Sequence, residues 1–410
     1  MSGVLKRLCY IGFHVLQGQQ LANHLVQRFG FELFAIREAE RKRQQAFRRG
    51  DAIFVVNEER ELSEKNCPSS DLPSDCSKHK RILYDVNLQY GVSTASNICF
   101  EVEDVPGLSR NLQEKGCNIL IPPTMEADEN GFVTYCVVMS IVGNVSHTFL
   151  DRSHYGGPFL PGFCEVSPKK FQEKETVHFD HITYACLQGS SQAVLGWYKT
   201  CFGFQRFFIH HQDDAVEGFR IQGENMGLRL TAMRYDDDRR SPFVPDCKFV
   251  LAESLPSQKM GQVDTFLQQH EGAGIQHVAL YTTDVVRTAA AMAKSGVSFF
   301  KPPVSYYDEK SKEEEMQQVG QDLQLLKDYG ILLDATIGGK GQDNSPSLLE
   351  ERYLMQIFTR PLFTEETFFL ELIERHGAAG FGEGNVRALW KSVQDYMDQQ
   401  RRPILLGNEA

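Results

Sequence analysis

Two histidines and one glutamate in this chain have the types and placement to do chemistry together. His181 lies in Asp-His-Ile-Thr, His277 in Gln-His-Val-Ala, and Glu371 in Phe-Phe-Leu-Glu-Leu. Each segment is short, apolar and rich in β-branched or aromatic residues, as strands are. Two imidazoles and one carboxylate are the donor set of a non-haem Fe(II) centre with three open coordination positions. That vacancy suits oxygen chemistry, because a chelating substrate and O2 must share the metal. A lone strand histidine is more often an ordinary, satisfied polar residue. The case for these two rests on where the chain repeats itself.

Leu8–Glu32 reads as a strand, then Gln17-Gly18, an amphipathic helix, and Phe29-Gly30-Phe31. Phe179–Gln205 repeats the plan with Gln188-Gly189 and Phe202-Gly203-Phe204, its helix two residues longer. A second pair, Asn97–Pro123 and His277–Pro303, aligns at a constant offset of 180. There Asp104 meets Asp284, Gly116 meets Gly296, and Pro122-Pro123 meets Pro302-Pro303. Several matches in register mark an internal duplication. Each unit reads β-α-β-β and occurs four times, as two pairs, giving two α+β domains of roughly 150 and 220 residues. The polar stretch Glu165–Glu175 is the expected boundary.

Packing positions should match between duplicated halves, whereas chemical ones can differ. His181 corresponds to Tyr10, His277 to Asn97, and Glu371, through Phe149-Leu150, to Asp151. Only the second half carries the full donor set. His178 falls on the strand face opposite His181 by alternation.

The remaining segments place the insertions. Asn57–Lys80 reads as a polar surface loop, with Cys67 and Cys76 lacking partners at zinc spacing. Asp308–Gln324 reads as an exposed helix leading to a strand at Gly330–Leu333. Val285–Ser295 is a helix closed by Gly296. Gly338–Ser347 is a hairpin tip, and Asn385–Arg401 a terminal helix.

Composition narrows the functional classes. The 410 residues carry 43 Lys and Arg against 54 Asp and Glu, a net charge of −11. That balance disfavours a nucleic-acid partner, which needs concentrated positive charge. No apolar run reaches membrane-spanning length. Ten cysteines without a secretory leader read as reduced thiols.

Longer motifs add a family resemblance. Phe179-Asp180-His181-Ile182, the run Gly272–Leu280, Gln356–Pro361, Phe369-Leu370-Glu371, Gly380–Asn385 and Gly156–Phe163 together resemble the 4-hydroxyphenylpyruvate dioxygenase family. The likeness covers roughly residues 8 to 398. It implies two vicinal-oxygen-chelate domains built from βαβββ-type repeats. Residues 1–164 would form a metal-free first domain, 165–176 a linker, 177–390 the catalytic domain, 385–401 a lid helix and 402–410 a tail. The resemblance implies His181, His277 and Glu371 as Fe(2+) ligands. It implies Gln262, Gln276, Gln356, Asn385 and Val386 around the substrate, with Phe358, Phe369 and Phe381 as an aromatic wall.

The implied reaction is oxidative decarboxylation of an aromatic 2-oxo acid by O2. The substrate's own oxo acid makes a separate co-substrate unnecessary. Val386 and Trp390 stand where the family has phenylalanines, and Leu230 and Ala252 where it has polar pocket residues. The smaller Val386 leaves room beside the ring. The expected product is therefore 4-hydroxymandelate, with homogentisate the alternative. A non-catalytic regulatory paralogue is the alternative from another class. Residues 1–31 contain no Asp or Glu, which suits a mitochondrial address, with cytoplasm as the alternative. Dimerisation through the first domain is a working hypothesis.

Overall fold

The computed structural model describes residues 5–400 apart from 40–41, 60–81, 88–90, 167–175, 210–212, 215, 223–226, 236–247, 257–259, 309, 337–351, 366 and 379. The Cys67 and Cys76 segment, the Gly338–Ser347 tip and most of the expected linker lie outside the described residues.

Four modules follow one another. The first is β1 (Leu5–Val15), α1 (Gly18–Gln27), β2 (Glu32–Ala39), β3 (Lys42–Arg49) and β4 (Ala52–Glu59). The second is β5 (Thr94–Val102), α2 (Val105–Glu114), β6 (Ile119–Asp128), β7 (Gly131–Met139) and β8 (Ser146–Asp151), trailed by β9 (Cys164–Glu165). The third is β10 (His178–Cys186), α3 (Ser191–Phe202), β11 (Phe204–Phe207), β12 (Phe219–Gln222), β13 (Gly227–Tyr235) and β14 (Lys248–Ser254), with α4 (Gln262–Gln269) after it. The fourth is β15 (Gly274–Tyr281), α5 (Val285–Lys294), α6 (Val304–Tyr307), α7 (Lys310–Gln318), α8 (Leu323–Tyr329), β16 (Leu332–Thr336), β17 (Arg352–Phe358) and β18 (Phe369–His376). The helix α9 (Glu383–Gln400) ends the chain's described part.

The repeat unit is thus longer than the β-α-β-β read from the sequence, with a third strand after the helix. Three further expectations change. Asn57, Glu58 and Glu59 belong to β4 rather than to a loop, and Asn57 is buried. The stretch 308–324 forms two helices rather than one, because Gly320 takes φ +68 between them. The first strand starts at Leu5, where its backbone N–H donates to the Tyr235 hydroxyl of the second half.

The register of the duplication is visible in the caps. Asp104 accepts from the Gly107 N–H at 2.9 Å, and Asp284 from the Arg287 N–H at 2.8 Å. An N-terminal carboxylate of this kind satisfies an otherwise unpaired helix donor. Gly116 and Gly296, just beyond the two helix ends, take φ +80 and +88. Those matched positions serve helix termini, not chemistry.

The strands form two curled sheets. The first runs β6-β7-β8-β5-β1-β4-β3-β2-β9 and the second β11-β13-β14-β10-β15-β18-β17-β16, with β12 beside β13. In each, the modules join through an antiparallel central pair, β1 with β5 and β10 with β15. The halves are not separately cored. One apolar cluster includes Phe13, Phe54, Phe100 and Phe149 of the first half and Phe179, Tyr184, Phe249 and Leu280 of the second. Phe54 meets Phe179 at 5.4 Å between ring centroids, and Phe13 meets Phe368 at 5.1 Å.

The concave side of the first sheet is filled. Tyr84, Tyr135, Phe159, Leu160 and Phe163 pack there around Tyr10. The Tyr84 carbonyl accepts from the Tyr10 hydroxyl at 3.2 Å and from Thr148 Oγ1 at 2.6 Å. Asp85 accepts from Asn97 Nδ2 at 3.0 Å and lies 2.8 Å from His14 Nε2. Tyr84 holds φ +63, a left-handed conformation rare outside glycine. A packed interior and several hydrogen bonds over-determine it.

Candidate metal centre

His181 stands on β10, His277 on β15 and Glu371 on β18, three adjacent central strands. Their register explains how they meet. Ala279 pairs with His181 across β10–β15 and with Glu371 across β15–β18. Directly paired residues share a face, and so do residues two apart on one strand. Ala279 and His277 therefore project to the same side as the other two donors. The small Ala279 side chain, fully buried, leaves the middle of the rung open.

Among the described residues, His181, His277 and Glu371 are the only such donor group, their ligand atoms all within 4.8 Å of one another. Glu371 Oε2 lies 3.3 Å from His181 Nε2 and 3.6 Å from His277 Nε2. Across the duplication, the register places Glu371 opposite Thr148 rather than Asp151, because Cys99 pairs with Thr148 as Ala279 pairs with Glu371. The equivalents of the donors are Tyr10, Asn97 and Thr148, all turned to the Tyr84–Asp85 segment.

Each donor is aimed by a partner. The β10–β15 pairing skips Asp180 and Gln276, so a β-bulge precedes each histidine. A bulge re-aims a side chain that strict alternation would send to the other face. Asp180 Oδ1 is 2.8 Å from His181 Nδ1, and Gln276 Oε1 is 3.3 Å from His277 Nδ1. An Nδ1–H donated to these oxygens leaves both Nε2 lone pairs facing inward. Gln356 donates Nε2 to Glu371 Oε1 at 2.8 Å, turning Oε2 toward the histidines. Three buried acceptors then face one another with no donor among them, an arrangement that a cation completes.

The electrostatics favour a positive charge beside Glu371, a place that a proton on His181 takes when no cation does. Burial opposes charging His181, but Glu371 and Asp180 outweigh it and raise its pKa. Burial, with the nearby charge of His181, pushes His277 far down. Burial would raise Asp180, yet the Arg375 guanidinium holds it well below the usual carboxylate range.

The other expected residues surround this centre. Phe369 stacks on His277 at 4.6 Å, and Phe381 meets His181 edge-on at 4.8 Å. Phe358 pairs with Glu371 across β17–β18. Gln262, Gln276 and Phe369 line a cavity of about 40 Å³ beside the centre, with Val393 of α9 among its walls and none of the three donors. That is room for about three waters. Asn385 is fully buried, donating to Gln356 Oε1 at 2.9 Å and accepting from the Tyr306 hydroxyl at 3.0 Å. Val386, Trp390, Leu230 and Ala252 pack with Phe381 in one apolar cluster. His178 was expected on the face opposite His181, but the bulge at Asp180 pairs it with Tyr281, two residues from Ala279, so it shares the donors' face; it stacks on Tyr281 and is not one of the donor group. Asp180, Arg375, Ala279 and Tyr306 were missed in the sequence; the only hint was an acidic residue directly before His181.

Residues 178–313 match the model of the Glyoxalase/Bleomycin resistance protein/Dioxygenase superfamily. The chain is 40% identical over 403 residues to the mouse (Mus musculus) 4-hydroxyphenylpyruvate dioxygenase-like protein, covering 96% of this chain and 98% of that one. It is 26% identical over 397 residues to the Neurospora crassa 4-hydroxyphenylpyruvate dioxygenase, covering 94% and 90%. Among solved structures, a triple mutant of 4-hydroxymandelate synthase from Streptomyces coelicolor shares the fold, with a TM-score of 0.74 at 21% identity, over 96% of this chain and 99% of that one. The expected pair of vicinal-oxygen-chelate domains is the observed architecture. At 40% identity over nearly its whole length to a dioxygenase-like relative, the chain belongs to the 4-hydroxyphenylpyruvate dioxygenase family.

Proposed function

We propose that this protein is an Fe(II)-dependent dioxygenase. It oxidatively decarboxylates 4-hydroxyphenylpyruvate with O2 and hydroxylates the benzylic carbon, giving 4-hydroxymandelate. The three inward-facing acceptor atoms of His181, His277 and Glu371 carry this reading. His181, His277 and Glu371 would hold Fe(II), which would supply Lewis acidity and O2 activation for a 2-oxo acid substrate. The chain's own residues do the positioning. Asp180, Gln276 and Gln356 set the aim of the donors. Phe358, Phe369 and Phe381 offer flat apolar walls to the arene, and α9 excludes water from the centre.

The choice of carbon rests on the wall. Val386, Leu230 and Ala252 offer the ring end apolar side chains with no polar group, and Trp390 packs in the same cluster. A ring held less firmly shifts relative to the metal, and about 1 Å is enough to alter an outcome. Homogentisate is the second reading, and relatives named 4-hydroxyphenylpyruvate dioxygenase fit either product. Purified protein loaded with Fe(II) and given 4-hydroxyphenylpyruvate tests both by mass spectrometry. Homogentisate as sole product rejects benzylic hydroxylation. No oxygen uptake with any aryl-pyruvate favours a non-catalytic role.

The mitochondrial address remains part of the proposal, supported by the acid-free first 31 residues. A C-terminal fluorescent tag giving diffuse cytosolic signal rejects it. Dimerisation through the first domain is likewise proposed, and light scattering at monomer mass rejects it. No described helix is long and apolar enough to cross a membrane.

A further inference from the structure

Arg375 lies four residues past Glu371, on the same strand, and bonds to two different things. Its Nε and Nη2 grip Asp180 as a fork, at 2.7 Å to Oδ2 and 2.8 Å to Oδ1. Its Nη1 donates to the backbone carbonyls of Ala378, at 3.2 Å, and Gly380. Those carbonyls belong to the turn between β18 and α9. The guanidinium also sits 5.7 Å from the centroid of Phe381, the ring that meets His181. One side chain therefore touches both the carboxylate that aims His181 and the root of the terminal helix.

A second path leads from α9 to another donor. Asn385 bonds to Gln356, and Gln356 to Glu371. The first turn of α9 thus reaches Glu371, as its root reaches His181. Any displacement of α9 would carry the Asn385 contact and the turn carbonyls with it.

We propose that Arg375 is a positioning residue that couples the seating of α9 to the aim of His181. It rests on the reading of the three donors as a metal centre. The planar fork is the reason for arginine here. It fixes both oxygens of Asp180 and still presents a third nitrogen to the turn, which a lysine ammonium cannot do. With α9 seated, Asp180 is held rigid and His181 Nε2 points to the centre. With α9 displaced, the fork loses its backbone anchors and His181 gains freedom, so metal affinity depends on the helix.

Anaerobic titration of the full chain with Co(II), read by visible absorption, tests this beside limited proteolysis of the turn at residues 377–384. Arg375→Lys keeps the charge and loses the fork. The expected result is Co(II) binding 10- to 100-fold weaker with an altered absorption band, and faster cutting of the turn. Asp180→Asn should weaken Co(II) binding while leaving the turn better protected than in Arg375→Lys, because Arg375 keeps its carbonyl contacts. Arg375→Ala serves as a check where it folds. Wild-type affinity and spectrum in Arg375→Lys overturn the coupling. Weaker binding with an unaltered turn also overturns it, reducing Arg375 to a partner of Asp180. Absence of Co(II) binding by the wild type itself is a different failure, and sinks the metal reading beneath.

Discussion

The Tyr84 carbonyl lies 3.2 Å from the Tyr10 hydroxyl, and Tyr10 is the first-half counterpart of His181. The Tyr84–Asp85 segment thus occupies the place that the candidate donors surround in the second half. Installing donors there should fail for want of space. Tyr10→His, Asn97→His and Thr148→Glu together should leave metal content at one ion per chain by mass spectrometry. Two ions per chain would show that the Tyr84–Asp85 segment yields.

Ala279 should be as necessary to the centre as a donor. It pairs with both His181 and Glu371, so any longer side chain projects between them. Ala279→Leu is expected to abolish metal binding while costing about 1–3 kcal/mol of stability through overpacking. Calorimetric metal titration beside thermal unfolding checks it. Undiminished affinity in a folded variant would mean that the rung is not where the ion sits.

Val386 should steer the product. It packs with Phe381 and Trp390, and a phenylalanine there narrows the ring end of the pocket. Val386→Phe is expected to move a measurable share of product from 4-hydroxymandelate to homogentisate. Chromatography of both products after a fixed turnover gives the ratio. An unchanged ratio removes Val386 from the choice of carbon.

Acid should loosen the contact between the halves. His147 of β8 is fully buried, with Nε2 2.7 Å from the Tyr198 hydroxyl of α3. Burial pulls its pKa down to about 3. A histidine with a depressed folded pKa stays neutral in the fold but takes a proton when unfolded. Its penalty is absent above the unfolded value near 6.5 and grows as pH falls toward 3. The loss is about 2 kcal/mol at pH 5. Urea unfolding at pH 7 and pH 5 should show that difference shrinking in His147→Gln. An equal acid loss in both proteins would assign the effect to other groups.

Much of the plan could be read from the residues because duplication supplies its own comparison. The four modules, the three donors, the cap carboxylates and the terminal helix all leave marks at fixed spacing. The rest depends on partners distant in the chain. A bulge adds one residue without changing composition, so nothing marked Asp180 and Gln276 as turned toward their histidines. Equivalent skips at Cys9 and Ser96 show that the bulges belong to the shared fold, not to the metal. Thr148 was misplaced in favour of Asp151 for a related reason: residue type was matched where strand pairing decides. Ala279 was invisible because its contribution is the absence of bulk.

The shared apolar cluster also bears on heredity. A duplicated half without donors would ordinarily be free to drift. Here the first half supplies Phe13, Phe54 and Phe100 to the interior on which the second half stands. Losing it would strip the survivor's flank and expose rings meant to be dry. The first half therefore serves as a wall, and substitutions in its share of the cluster should act through folding rather than through the donors.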